Sequence, residues 1–229
     1  MTYRWRRQRE PSGAAVATFY GSDAMTGADT TVITAHTPVA VGANPAGLAW
    51  VTTNGAVPDV QLLSNRLAEV GTVASSNRAV MTMTTSAADQ SVQADFVMFT
   101  IINSQIKSLG ARGQTGNVSS YYLQYAPNAS TPTLSYFAIF RVDAAFGQTQ
   151  IGSNYTFAFP SSGTVVPTEL RCQGGAISAT INGVVNAISG TDASPLTGTL
   201  GGFLFLHGTA GDTATTGVHL DNLVIRSPS

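Results

Sequence analysis

Cleavage of a glycosidic bond needs two carboxyl groups facing each other across it, one protonated and one ionised. The glutamates of this chain are Glu10, Glu69 and Glu169, and none has an acidic residue two positions on. Nucleophilic catalysis has no better footing. His36, His207 and His219 are spread over separate strand-like runs, and no Gly-x-Ser-x-Gly elbow occurs. The lone thiol, Cys172, sits inside an alternating run from Glu169 to Gln173 that reads as a small buried apolar position. Zinc-ligand spacings and phosphate-cradling loops are also missing. No catalytic residue, metal or cofactor is expected, and the chain reads as non-enzymatic.

Residue types that bind are better represented. Tyr121, Tyr122 and Tyr125 fall on one run, Tyr136 follows across the loop from Pro127 to Pro132, and Arg112 ends the run before. Successive strand residues point to opposite faces, so Tyr121 and Tyr125 share one face and Tyr122 takes the other. Only one set can line a groove; the other packs in a core. Arg112, Tyr121, Tyr125 and Tyr136 are the candidate carbohydrate contacts, since sugars lie on aromatic faces flanked by a few polar groups.

The second candidate is the N-terminal arm, residues 1–13, where Tyr3, Arg4, Trp5, Arg6, Arg7 and Arg9 precede Pro11-Ser12-Gly13. Residues 1–9 hold four of the 11 basic side chains, while residues 11–229 hold seven against 11 acidic ones. Arginines interleaved with aromatics are characteristic of protein–protein hot spots. A nucleic-acid partner is not expected, because the body behind the arm is net acidic. The arm is read as an anchor to a neighbouring subunit, with a homo-oligomer as the simplest assembly.

These residues must be positioned by strands. Runs rich in Val, Thr, Ile, Phe and Tyr recur from residue 14 onward, broken by Gly, Pro, Asn and Asp at the spacing of an antiparallel sandwich. Strands are expected at 14–21, 31–36, 47–53, 60–63, 66–71, 78–85, 92–103, 107–113, 118–126, 134–143, 147–158, 164–173, 175–182, 184–188, 200–207 and 217–226. Gly174-Gly175 and Asn182-Gly183 supply tight hairpin turns, making 164–188 a three-stranded meander. Residues 60–70 are the best helix candidate, but Ser64-Asn65 interrupts them and two short strands around a turn fit better.

The last run, Val218 to Arg226, alternates with a phase slip. Val218 and Leu220 point inward, and so, one step out of phase, do Leu223 and Ile225. Only a sheet already in place can receive a strand at the end of the chain. The body, residues 14–229, is one all-β domain, a length such domains routinely reach. Charged residues are only 10% of the chain, which suits a surface partly covered by neighbours. The basic N-terminus is not followed by the apolar stretch of a signal peptide. Nor is there the run of about 18 apolar residues that spans a membrane.

On Phe19-Tyr20-Gly21-Ser22-Asp23, Thr34 to Pro38, Val166 to Cys172, Ala176 to Val184 and the closing run, the chain resembles the concanavalin A-like lectin/glucanase superfamily, and within it the jelly rolls carried on bacteriophage virion proteins. The resemblance covers roughly residues 14–227. It implies an antiparallel β-sandwich with a jelly-roll path, both termini in one region, and a structural role on a virion as a head decoration or tail-associated protein. Other virion subunits would then be the partners, and synthesis would be in the host cytoplasm. The alternative is a stand-alone carbohydrate-binding module for a host-surface glycan. The glucanase Glu-x-Asp-x-x-Glu pattern is not found. A lectin-type calcium would use Asp221, by type, with Asp23 or Asp29 as helpers, but Asp221-Asn222 reads more simply as a bulge that bonds its own backbone.

Overall fold

The computed structural model describes residues 18–42, 46, 49–54, 60–70, 77–82, 87–101, 106–206 and 211–228. The arm, including Tyr3, Arg4, Trp5, Arg6, Arg7 and Arg9, lies outside them, as does His207.

Alternating runs become strands wherever the turn residues allow. In chain order these are β1 (Phe19–Asp23), β2 (Trp50–Asn54), β3 (Val60–Leu62), β4 (Leu67–Glu69), β5 (Asn77–Thr82), β6 (Gln90–Met98), β7 (Ile106–Gly113) and β8 (Ser120–Ala126). There follow β9 (Tyr136–Val142), β10 (Gln148–Thr156), β11 (Thr164–Gln173), β12 (Ala176–Ile181), β13 (Val184–Thr191), β14 (Leu200–Leu206) and β15 (Val218–Arg226). Asn182 and Gly183 take φ of 48° and 81° between β12 and β13, the two positive angles of a type I′ hairpin turn. Ser64 and Asn65, at 53° and 56°, do the same between β3 and β4. The expected strand over 31–36 is instead a 3-10 turn at Ile33–Ala35. The segment is held by its side chains rather than by a ladder, because Ile33 enters the core and His36 meets Asp23.

The strands form two antiparallel sheets. Sheet A runs β13-β12-β11-β6-β15-β4-β3, and β1 also pairs with β15. Since β4 meets β15 at Leu220 while β1 meets it from Leu223 to Arg226, β1 and β4 lie end to end along one edge of β15. First and last strands are thus neighbours, as expected. Sheet B runs β10-β9-β8-β7-β14-β5-β2, with β7 to β10 a simple meander.

The core lies between the sheets. Sheet A contributes Val92, Phe96, Val166, Leu170, Ile177, Leu220, Leu223 and Ile225; sheet B contributes Leu109, Leu123, Phe137, Ile139, Phe203 and Phe205. The phase slip in β15 is real: its register against β6 shifts between Asp221 and Val224. Aromatic pairs join strands and sheets, with Phe96 edge-on to Phe137 at 5.6 Å and Trp50 stacked on Phe203 at 5.5 Å. Each such pair contributes about 0.5–1.5 kcal/mol beyond its buried area.

Candidate functional site

Of the residues expected to bind sugar, Tyr121 and Tyr125 belong to the set that faces the core. Both are fully buried between the sheets, which leaves no ring face for a ligand and corrects the expectation. The reason is register. Leu123, between them on β8, faces inward with Ile139 and Leu109 beside it, and the tyrosines follow its parity. Tyr121 donates its hydroxyl hydrogen to Asp192 Oδ2 at 2.7 Å and accepts from Leu196 N at 3.0 Å. Burial, with the Asp192 bond adding to it, pushes its pKa up to about 12.

Arg112 is likewise a structural residue. Its Nε reaches Ala88 O at 2.6 Å, one terminal nitrogen Gly174 O at 2.8 Å and the other Asp89 Oδ1 at 2.8 Å, so its fork is spent on tying loops together. Tyr136 is half-buried at the start of β9. Arg112, Tyr121, Tyr125 and Tyr136 therefore do not converge on an open groove.

The reactive side chains are also engaged. Asp23 Oδ1 accepts from Met25 N and Val39 N and lies 2.9 Å from His36 Nε2, while Oδ2 accepts from Trp50 Nε1 at 2.7 Å. This buried carboxylate pins the segment between β1 and β2. His219 Nε2 lies 3.1 Å from Thr216 O, which fixes the proton on Nε2, and burial drops its pKa to about 4. It is neutral at ordinary pH and faces Phe99 rather than solvent. Cys172 is fully buried, and burial pushes its thiol up to about 12. Among the described residues, no cluster of His, Cys, Asp or Glu is arranged to hold a metal ion. Asp221 instead accepts from Asn222 N at 2.8 Å, with Asn222 at φ 51°, the self-bonded bulge expected from sequence.

An open groove of about 310 Å³ lies on the outer face of sheet A, lined by Gln93, Asp95, Pro167, Glu169, Thr180 and Asn222 among others. Its position follows from parity. Val92, Ala94 and Phe96 on β6 face the core, so Gln93 and Asp95 face out; Val166, Thr168 and Leu170 on β11 do the same for Pro167 and Glu169. Asp95 pairs with Pro167 on one side and Asp221 on the other, and Glu169 pairs with Gln93 and Thr180. Asp95 and Glu169 are diagonal neighbours, which sets their Cβ atoms roughly 7–8 Å apart. Pro167 sits just past the end of β12, where its carbonyl accepts from Asn182 N at 2.8 Å. A proline is tolerated inside the sheet there because the ladder on that side has ended.

Each groove carboxylate is held by one oxygen. Asn222 Nδ2 donates to Asp95 Oδ2 at 2.9 Å, and Ser91 Oγ donates to Glu169 Oε1, near which Arg226 stands at 3.7 Å. Asp95 Oδ1, Glu169 Oε2, the Gln93 amide and the Thr180 hydroxyl have no hydrogen-bond partner among the described residues. Beside the groove, burial and then the neighbouring charge of Asp95 push Asp221 up to about 6. The sequence reading missed this set. Its signal was present, as outward polar positions on three separate runs, but nothing local says those runs become neighbours.

No protein family and no curated protein matches the chain in sequence. Solved structures do match in fold. The carbohydrate-binding module CBM66 from Bacillus subtilis superposes with a TM-score of 0.55 at 12% identity, over 79% of this chain and 97% of that one. The Bacillus licheniformis beta-glucanase gives 0.53 at 9%, over 92% and 99%. A third structure, BuGH16Bwt, gives 0.53 at 9%, over 79% and 85%. The chain therefore has the concanavalin A-like lectin/glucanase fold, an antiparallel jelly-roll sandwich. At these identities the likeness shows the fold alone, and that fold carries binding modules and enzymes alike.

Proposed function

We propose that this chain is a non-catalytic carbohydrate-binding module that takes a saccharide in the groove on sheet A. The observation that carries it is the set of unspent polar groups lining an open groove: one oxygen each of Asp95 and Glu169, the amide of Gln93 and the hydroxyl of Thr180. A few convergent donors and acceptors over a small apolar floor, here Pro167 and Val224, are what orients a polyhydroxylated ligand. The likeness in fold to a carbohydrate-binding module supports the reading. Turnover is not part of it. A glycosidase needs one carboxyl kept protonated within reach of the bond, and Asp221, whose pKa is raised, flanks the groove without lining it.

The test is a glycan array followed by calorimetry on the hits, with Gln93→Ala and Thr180→Ala beside the parent. Saturable binding weakened about tenfold by either change is expected, the loss of one hydrogen bond to ligand. Failure to bind any saccharide saturably, or release of reducing sugar from the bound glycan, overturns the proposal.

A second reading concerns where the module is mounted: on a phage particle, as a subunit anchored by the arginine-rich arm. The charged fraction of 10% and the exposed Val184 and Val185 at the tip of the β12–β13 hairpin favour burial against neighbours. Deleting residues 1–11 and measuring mass in solution tests it. A truncated chain that still assembles as the parent does removes the arm as anchor.

A further inference from the structure

We infer that the groove on sheet A selects a saccharide bearing a free protonated amine, a deacetylated hexosamine chain, over neutral and acidic glycans. The inference rests on the carbohydrate reading and names its substrate class. The groove holds an excess of negative charge. Asp95 and Glu169 line it and Asp221 flanks it, whereas the cation nearest Glu169 among the described residues is Arg226, at 3.7 Å, too far for a hydrogen bond. On β11 the outward Arg171 is turned to Gln173, to which it donates at 2.8 Å. Asp95 and Asp221 stand directly opposite each other on β6 and β15, a like-charge cross-strand pair that the sheet carries at a cost.

The acceptors match the donors of an ammonium group. A primary ammonium has three N–H donors and no acceptor. Facing the groove are Asp95 Oδ1 and Glu169 Oε2, each left over after its partner oxygen is bonded, and a third acceptor from the Gln93 carbonyl or the Thr180 hydroxyl. With the two carboxylate stems about 7–8 Å apart, an ammonium between them can reach both. Acetylation of the amine removes its charge and two of its donors. A uronate would place a fourth negative charge among these carboxylates.

The experiment is calorimetry on the full chain with glucosamine oligosaccharides, their fully N-acetylated counterparts, oligogalacturonate and oligolysine. The deacetylated chain is expected to bind about tenfold tighter than the acetylated one, the difference between a charge-assisted and a neutral hydrogen bond. Asp95→Asn and Glu169→Gln should each erase the preference while melting at the parent's temperature, and Arg226→Gln should widen it. That last change distinguishes a lost fold from a lost charge, because it predicts a gain. Equal binding of acetylated and deacetylated chains, or oligolysine binding as tightly as the amino sugar, overturns this inference and leaves the carbohydrate reading standing. Absence of binding to every saccharide removes both.

Discussion

Lys107 of sheet B reaches across the sandwich to Glu69 of sheet A, with Nζ 3.1 Å from Oε2 and both side chains without exposed surface. Asp212 lies on the same ammonium at 3.0 Å, and the ring of Phe205 lies under it at 5.0 Å. Asp212 and Glu69 also exchange backbone contacts, Asp212 N to Glu69 O and Glu69 N to Asp212 Oδ2. One buried cation therefore ties the two sheets and the segment before β15.

Replacing Lys107 with Met is expected to destabilise the fold by about 3–5 kcal/mol, because two carboxylates are then left buried with no counter-charge. Denaturant unfolding reads the loss. Replacing Glu69, Lys107 and Asp212 together with apolar residues should restore most of it, since a buried ionic cluster is weak in net terms and costly only when broken.

Gly217 is held at φ +87°, and a Cβ there would run into the Asp212 carboxylate. Gly217→Ala should lower stability by more than about 1 kcal/mol, combining left-handed strain with displacement of that carboxylate. A thermal melt equal to the parent's would mean that the Asp212 side chain moves aside freely.

The pH dependence of stability has a definite sign at Asp221. Its pKa rises from 3.8 to about 6 on folding, with burial the main cause and Asp95 adding to it. A carboxyl that holds its proton more tightly when folded stabilises in full below its unfolded pKa, and that contribution is lost as pH rises through the folded one. Asp221→Asn should therefore unfold later than the parent at pH 7 and match it below pH 3.8. Denaturation midpoints measured across this window check both ends.

Tyr121→Phe removes a buried hydroxyl that bonds Asp192 and Leu196. It should cost about 1–3 kcal/mol of stability and leave saccharide affinity unchanged, because the ring lies between the sheets and away from the groove. Weaker glycan binding by a Tyr121→Phe protein with an intact groove would return the tyrosines to the candidate site.

Much of the architecture is local and could be read in the chain. The strand runs, the turn at Ser64-Asn65, the hairpin at Asn182-Gly183 and the slip at Asp221-Asn222 all follow from period-two alternation and from residues that tolerate positive φ. The run at 31–36 is the exception. Its alternation is genuine, yet the pull of Asp23 on His36 and of the core on Ile33 makes a turn of it.

Sequence alone determined that this protein is built of alternating strands, that Tyr121 and Tyr125 share a face opposite Tyr122, and that its thiol is buried. Tertiary structure decided which face was the inside, and so converted two candidate binding tyrosines into core. It also decided that β6 lies between β11 and β15, which brings Asp95, Glu169 and Asn222 to one groove from positions up to 127 residues apart. Alternation is a property of neighbouring residues, whereas strand order depends on which distant surfaces bury each other best, and a period of two carries no record of the partner.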